Sequence, residues 1–106
     1  MRMPARQGAP DENQADIIGA YLALGCSVVD AHAIGGGFPD LVVGVAAPYG
    51  RVTELVEVKT ATGRLEQSQE RFIRDWRGSP VVVVRSREDA AAHVQSVRRR
   101  KYGGSQ

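Results

Sequence analysis

The sequence contains a single cysteine, Cys26, and no apolar run near the ~20 residues needed to cross a bilayer. One cysteine excludes a framework of disulfides within the chain and is compatible with a reducing compartment. The first ten residues lack the apolar segment of a signal peptide. We therefore expect no membrane association and a cytoplasmic location, or the host cytoplasm if a phage encodes the chain.

The sequence also has little net charge, since the formal value is +2 over 106 residues. This balance gives no general argument for nucleic-acid binding. Positive charge is concentrated instead in "RRRK" at 98–101, comprising Arg98, Arg99, Arg100 and Lys101. Such a run is typical of a solvated tail, and it could also contact phosphates without reading sequence. The chain length suits one core, and we divide it into a flexible arm (1–10), one domain (11–97) and a basic, frayed tail (98–106).

The hydrophobic pattern predicts an α/β fold in which helices flank a mixed sheet, in the order α-β-β-β-α-β-α. A capping-box pair, Asp11 and Gln14, marks the start of the first helix. The predicted elements are helix 10–25, strands 26–33, 39–47 and 51–60, helix 63–78, strand 81–84 and helix 87–100. A turn at 48–50 makes the second and third strands a hairpin.

Charged residues occur where the third strand is expected to be buried. Glu57 and Lys59 are two residues apart, so their side chains leave the same face of the sheet, whereas Val58 faces the other side. A hairpin that turns near residue 49 places Asp40 nearly opposite Glu57. Two carboxylates and one lysine would then meet at one edge of the sheet.

This cluster predicts a metal site. Two hard oxygen ligands with open positions suit Mg²⁺ or Mn²⁺, which could acidify a bound water and offset charge on a phosphodiester. Lys59 would add positive charge for the transition state or orient the water. The alternative is a simple ion pair between Glu57 and Lys59 on an exposed face. His32 and His93 match no zinc spacing and are expected to be structural.

Gln69 lies in the apolar stripe of the second predicted helix, together with Leu65 and Phe72. A buried amide without a partner costs about 1–3 kcal/mol on mutational scales. Gln69 should therefore have a hydrogen-bonding role, such as holding a metal-bound water or a phosphate. The alternative is a helix-edge glutamine that bonds to the backbone.

The first helix offers two candidates for the same site. Gln14 projects toward the apolar side with Ile17 and Tyr21, and Glu12 projects away from it. Glu12 is the better metal ligand chemically, whereas Gln14 is the better placed. The uncertain helix start leaves both open.

Three consecutive glycines, 35–37, precede Pro39 and Asp40. A nucleotide P-loop is excluded because no Gly-Lys-Ser/Thr follows and no helix is predicted there. We expect Gly36 and Gly37 to provide backbone that lets a nucleic-acid strand pass close to Asp40.

The motifs "FPD" and "VEVK" resemble those of the PD-(D/E)XK nuclease superfamily. Over roughly residues 11–86, the chain is most similar to small VRR-NUC and Holliday-junction-resolvase-like endonucleases of phages and bacteria. The resemblance also includes the glycine-bearing turn, the "GRLEQSQ" segment and a valine strand that ends in Arg85. It implies that Asp40, Glu57 and the backbone carbonyl of Val58 bind the metal, that Lys59 is the catalytic lysine, and that Gln69 assists. It also implies an acidic residue at the inward-facing position of the first helix. This sequence departs from that pattern, because the inward position holds Gln14.

These observations predict a Mg²⁺- or Mn²⁺-dependent endonuclease that hydrolyses phosphodiester bonds in DNA, with branched or flapped DNA among the expected substrates. The resemblance further implies a homodimer. One alternative is a catalytically inactive nucleic-acid-binding module with the same fold. Another is a protein–protein adaptor in which the charged strand face is only an ion pair.

Overall fold

The computed structural model describes the backbone of residues 5–101 and the side chains of residues 13–101. The elements are α1 Ala5–Ala23, β1 Ser27–Asp30, a 3₁₀ turn His32–Ile34, β2 Leu41–Ala47, β3 Gly50–Val58, α2 Gln67–Asp75, β4 Val82–Val84 and α3 Arg87–Arg98. The strands form one mixed sheet in the order β1-β2-β3-β4, and only the β3–β4 pair is parallel. This architecture confirms the predicted order and the α/β class. Within the described residues, no helix has the length and apolar character to span a bilayer.

The hairpin of β2 and β3 sets the position of the acidic residues. A two-residue turn at 48–49 joins the strands, and the resulting register pairs Leu41 with Val56. Asp40 precedes Leu41 and Glu57 follows Val56, so the two acidic residues lie opposite each other, one step beyond the last pair. The juxtaposition predicted from the turn position is therefore present.

The two faces of the sheet have different surroundings. α1 and α3 pack against one face and form the hydrophobic core with it, since removing apolar surface from water contributes about 25 cal/mol per Å². Fully buried residues of this core include Ile17, Tyr21, Leu41, Val43, Val56, Val84, Val94 and Val97. Because side chains alternate along β3, Glu54 shares the core face, whereas Glu57 belongs to the face that α2 approaches.

The core face also contains a chain of hydrogen-bonded polar groups. The hydroxyl of Tyr21 lies 2.7 Å from His93 Nδ1, and His93 Nε2 lies 2.8 Å from Glu54 Oε1. Arg100 donates to both oxygens of Glu54, at 2.8 and 2.9 Å. Burial raises the pKa of Glu54, but the bonds from His93 and Arg100 outweigh it and hold the pKa at about 2. His93 is thus structural, as expected.

The ends of α1 and β1 differ from those predicted. α1 begins at Ala5, so the predicted start near residue 10, capped by Asp11, is wrong. Residues 5–9 are mainly Ala, Arg and Gln, which are strong helix formers, and the helix continues through them. β1 ends at Asp30, three residues early, because the Asp30 carboxylate accepts the N–H of His32 and forms a local turn. The division into arm, domain and tail stays a prediction, and residues 1–4 of the arm and 102–106 of the tail lie outside the described part.

α2 is shorter at both ends than the predicted helix 63–78. Its first turn is fixed by Glu66, whose backbone N–H donates to Gln69 Oε1 at 2.8 Å in a capping box. At the other end, Trp76 adopts an extended backbone with ψ 127°. Pro80 then prevents the chain from resuming a helix, because the residue before a proline disfavours helical angles. The effect is a helix of little more than two turns.

Candidate active site

Asp40 is held at the entry to β2 by backbone bonds from two directions. Its carbonyl accepts the N–H of Ala31 at 2.7 Å, and its side-chain Oδ2 accepts the N–H of Val58 at 2.9 Å. The preceding Pro39 is fully buried. These contacts fix the carboxylate next to the end of β3, where Glu57 lies. Asp40 thus stands between the glycine turn and β2, at the point where its carboxylate can meet Glu57.

Gly37 connects this turn to α2. Its φ is 85°, and an added Cβ would overlap the backbone carbonyl of Ser68 in the first turn of α2. Only glycine lets the two segments approach this closely. Gly36, with φ 66°, faces open space. The structure thus gives Gly37 a packing role, and the expected passage of a DNA strand beside Gly36 and Gly37 stays a prediction.

Glu57 is a buried carboxyl group, with only 2% of its surface exposed. Burial raises its pKa, and the hydrogen bond that protonated Glu57 donates to Asp40, together with the Asp40 charge, raises it further, to about 8. The Lys59 ammonium opposes this shift without cancelling it. Two carboxyl groups therefore meet in a site of low polarity, where both cannot ionise without additional positive charge.

Lys59 lies beside this pair. Its Nζ is 3.9 Å from Glu57 Oε2, and 14% of its side chain is exposed. The contact therefore lies inside the site and not on an exposed strand face, and it becomes an ion pair when Glu57 is ionised. At 3.9 Å the contact is longer than a charge-assisted hydrogen bond of about 2.8 Å, so the ammonium is available to a second anion.

Gln69 binds Glu57 directly. Its Nε2 donates to Glu57 Oε2 at 2.8 Å, while its Oε1 accepts the N–H of Glu66 at 2.8 Å. The predicted partners were a metal-bound water or a phosphate, with a backbone contact as the alternative. In this structure the amide bonds to the carboxylate at one end and to backbone at the other. It therefore orients the Glu57 side chain.

The two carboxylates fit a hard divalent cation. Within residues 13–101, no third His, Cys, Asp or Glu forms a metal-binding cluster with them. Mg²⁺ is commonly held by one or two carboxylates and keeps several waters. The Val58 peptide, whose N–H bonds to Asp40, lies next to the pair, where the resemblance implies a carbonyl ligand. The donor set is compatible with Mg²⁺ or Mn²⁺.

Neither first-helix candidate is shown at this site. Gln14 Nε2 donates to Asp30 Oδ1 at 3.0 Å, near the edge strand. The side chain of Glu12 lies outside the described residues. The helix residue that reaches the site is instead Asn13, whose Nδ2 donates to the Lys59 carbonyl at 2.8 Å. Its position four residues before the buried Ile17, one helical turn away, is the signal that could have identified it.

A cavity opens beside Lys59. Arg85 shapes its wall, because Nη1 donates to the carbonyls of Thr60 and Gly63 at 2.8 and 2.7 Å. The cavity has a volume of about 180 Å³ and is lined by Asn13, Val58, Lys59, Thr60, Gly63 and Arg64. Two cationic side chains in its lining favour an anionic occupant of the size of a phosphate.

The basic run at 98–101 is partly tied to the protein body. Arg98 donates to the carbonyls of Leu24 and Ala46, at 3.0 and 3.2 Å. Arg100 binds Glu54 through both of its terminal nitrogens. This corrects the expectation of a solvated tail at these two positions, because each guanidinium satisfies buried or strand-end acceptors.

Arg99 and Lys101 are the exposed members of the run. The contact of Arg98 with Ala46 places the run toward the end of β2 that is remote from Asp40. Six strand residues separate Ala46 from Asp40, which corresponds to about 20 Å. Phosphate contacts by Arg99 and Lys101, which stay a prediction, would involve DNA well away from the carboxylates.

The sequence also matches a known protein family. The family model of the VRR-NUC domain matches residues 8–88, a range that includes Asp40, Glu57, Lys59 and Gln69. This match confirms the resemblance to PD-(D/E)XK-like nucleases and indicates a nuclease-like role in nucleic-acid processing. No curated protein and no solved structure is significantly similar to the chain.

Proposed function

The chain belongs to the VRR-NUC family of PD-(D/E)XK-like nucleases, and on that premise we propose that it is a Mg²⁺- or Mn²⁺-dependent endonuclease. It hydrolyses phosphodiester bonds in DNA, with branched or flapped DNA as the preferred class. The observation that carries the proposal is the contact between the buried carboxyl group of Glu57 and the half-buried one of Asp40. Like charges so close require a cation if both are to ionise, and Lys59 alone does not offset them.

Each residue of the site has a distinct part in this reaction. Asp40 and Glu57, with the Val58 carbonyl, would hold the ion. When bound, the ion supplies a water of lowered pKa and offsets charge on the phosphate. Lys59 faces the adjoining cavity, where its ammonium stabilises the negative charge that develops on the phosphate oxygens.

Two further residues position these groups. Gln69 fixes the Glu57 carboxylate through its 2.8 Å bond. Asn13 fixes the Lys59 backbone through its bond to the carbonyl. A displacement of about 1 Å in such groups is enough to cost a large factor in rate, so both act as positioning residues.

The test is a cleavage assay on duplex, single-stranded, flap and four-way-junction DNA, with Mg²⁺ and with Mn²⁺. Calorimetric titration of the DNA-free protein with Mn²⁺ runs in parallel, on wild type and on Asp40→Asn. We expect cutting of at least one substrate, and heat of Mn²⁺ binding that Asp40→Asn removes. If neither ion supports cutting of any of the four DNAs, the proposed endonuclease activity is refuted.

The same assay distinguishes the endonuclease from the alternative, a catalytically inactive nucleic-acid-binding module. A protein that binds these DNAs, shows no Mn²⁺ heat and cuts none of them is a binding module with a nuclease fold. We also propose that two copies pair to cut both strands. Sedimentation of the protein with and without DNA measures this, and a monomer in both states would contradict it.

A further inference from the structure

A second pocket is formed by α2 and the glycine turn that precedes Asp40. It has a volume of about 280 Å³ and is lined by Gly36, Ser68, Arg71, Phe72, Asp75 and Trp76. Its floor is aromatic and its rim is charged. Neither the metal site nor the phosphate cavity accounts for this combination.

Two stacked aromatic rings, Phe72 and Trp76, form the floor of this pocket, and a third ring, Phe38, contacts Phe72 from outside the lining. The rings of Phe72 and Trp76 are nearly parallel, at 16° with centroids 5.3 Å apart, and Phe38 contacts Phe72 edge-on at 5.4 Å. The indole edge of Trp76 also packs so tightly against Gly78 that a Cβ there would lie 2.6 Å from Nε1. Despite this support, Trp76 is 43% exposed. A large ring that is fixed in place and still exposed is suited to stack with a partner.

The pocket is continuous with the proposed catalytic groups. Phe38 lies two residues before Asp40, and Phe72 lies one helical turn after Gln69 on α2. Gly36, which lines the pocket, belongs to the same turn as Gly37, which packs on α2. The pocket and the carboxylates are therefore connected through the same two segments, the turn before Asp40 and α2.

The charges at the rim favour a nucleotide over an apolar peptide. Arg71 is exposed at the edge of the pocket and can meet a backbone phosphate. The one acidic lining residue, Asp75, is paired with Arg74 through bonds of 2.8 and 3.2 Å. A phosphate entering the pocket thus meets an available cation and a carboxylate that is already compensated.

We propose that this pocket binds one unpaired base of the DNA, stacked on Trp76 beside the phosphate that is cut. The inference rests on the proposed nuclease function and specifies its substrate. DNA with an unpaired base next to the cleavage point, as at a flap or junction, is preferred over a continuous duplex. Stacking of a base on an aromatic side chain gives affinity without selecting a sequence.

Trp76 is the only tryptophan of the sequence, so its emission reports on the pocket directly. We would titrate the Glu57→Gln variant, which binds without cutting, with a flap, a single strand and a blunt duplex of equal length. Saturable quenching by the flap and the single strand, and little by the duplex, is the expected result. Binding is measured independently by anisotropy of labelled DNA.

Variants at the same position separate stacking from folding. Trp76→Leu should weaken flap binding about ten-fold, whereas Trp76→Phe, which can still stack, should remain within a few-fold of the wild type. The matched control is Leu22→Ala, which removes another exposed apolar side chain, 55% exposed, on α1. It should not change flap binding.

The outcomes also distinguish this inference from the nuclease proposal. If anisotropy shows flap binding but tryptophan emission does not change, the proposal that the pocket binds a base is refuted. The nuclease proposal is unaffected by that result. Quenching by flap DNA in a protein that cuts nothing would support the pocket and refute the nuclease. If tryptophan emission changes with protein concentration in the absence of DNA, a second copy of the protein occupies the pocket. That result would overturn the inference.

Discussion

Two glutamates on β3, Glu54 and Glu57, show how different the two faces of the sheet are. They are three residues apart on one strand, and both are almost completely buried, at 0% and 2% exposure. Glu54 accepts bonds from His93 and Arg100, and its pKa lies near 2 in spite of burial. Glu57 faces Asp40, and its pKa is raised to about 8 by burial and by that second carboxyl group.

The comparison distinguishes the effect of burial on a carboxyl pKa from the effect of cationic hydrogen-bond donors. Burial alone disfavours the charged form of a carboxyl group, and nearby cationic donors reverse that preference. Glu54 has enough of them within the fold, whereas Glu57 does not. A buried acid whose compensation is incomplete within the chain is a candidate for an external cation, and this difference supports the functional assignment of one face and the structural assignment of the other.

The largest expected effect comes from Glu57→Gln, which keeps the shape of the side chain and removes its charge. Loss of one metal ligand should reduce cutting by about 10³-fold or more, because the ion supplies several kcal/mol of stabilisation to the transition state. The metal-free protein should be at least as stable as wild type at pH 8. Single-turnover cleavage and urea unfolding measure the two effects.

The control for that variant is Glu70→Gln, which removes an exposed carboxylate from α2. It should leave both cutting and stability unchanged. Equal loss of activity in the two variants would show that general charge, and not the ligand position, is responsible.

Lys59→Ala should lower the rate of the chemical step by about 10²–10³-fold, the range found when one group that stabilises transition-state charge is removed. The affinity for Mn²⁺, measured by calorimetry, should change little, because Lys59 is not a ligand in this scheme. An unchanged rate would contradict its assigned role.

On the other face, Glu54→Gln should act on stability and leave the chemistry intact. The free energy of unfolding should fall by about 2–3 kcal/mol, since Arg100 and His93 lose a charged acceptor. Cutting measured well below the unfolding temperature should stay within a few-fold of wild type. If activity fell as far as it does in Glu57→Gln, the two faces would not be independent.

The last expected effect is a difference in the pH dependence of stability. In the folded metal-free protein Glu57 keeps its proton up to about pH 8, whereas unfolded glutamate loses it near 4.5. The folded state therefore binds more protons between these values, so stability falls as pH rises, by at most about 1.4 kcal/mol per pH unit. The contribution of Glu54 to stability changes with pH in the opposite direction, because it is lost as pH falls from about 4.5 toward 2.

Urea unfolding between pH 5 and 8 in the presence of a chelator measures the Glu57 contribution as the difference between wild type and Glu57→Gln. Addition of Mn²⁺ should flatten the wild-type curve, because the ion replaces the proton. Parallel curves for the two proteins would count against the raised pKa.

The sequence was sufficient for features that depend on local periodicity. The meeting of Asp40 and Glu57 follows from the hairpin, because a turn at 48–49 and the two-residue repeat of strands determine which residues lie opposite each other. The cap of α3 is also local, since Ser86 Oγ accepts the N–H of Asp89, three residues later, at 3.0 Å.

Features that depend on distant packing were not predictable in the same way. Glu54 is paired with His93 and Arg100, which are 39 and 46 residues away, and nothing in the local pattern of β3 distinguishes it from Glu57. The partner of Asn13 is the Lys59 backbone carbonyl, which no side-chain pattern reveals. The ends of α2 depend on Glu66 and Pro80 more than on the apolar stripe.

The contact of Gly37 with Ser68 has a consequence for how the site can change. It joins the turn that carries Asp40 to the helix that carries Gln69, with no room for even one methyl group between them. Any other residue at position 37 would push the glutamine away from its carboxylate, so the spacing of catalytic groups from two separate segments is controlled by a residue that has no side chain. The neighbouring Gly36 has open space around it, but its φ of 66° also disfavours other residues, so both glycines restrict substitution in this turn.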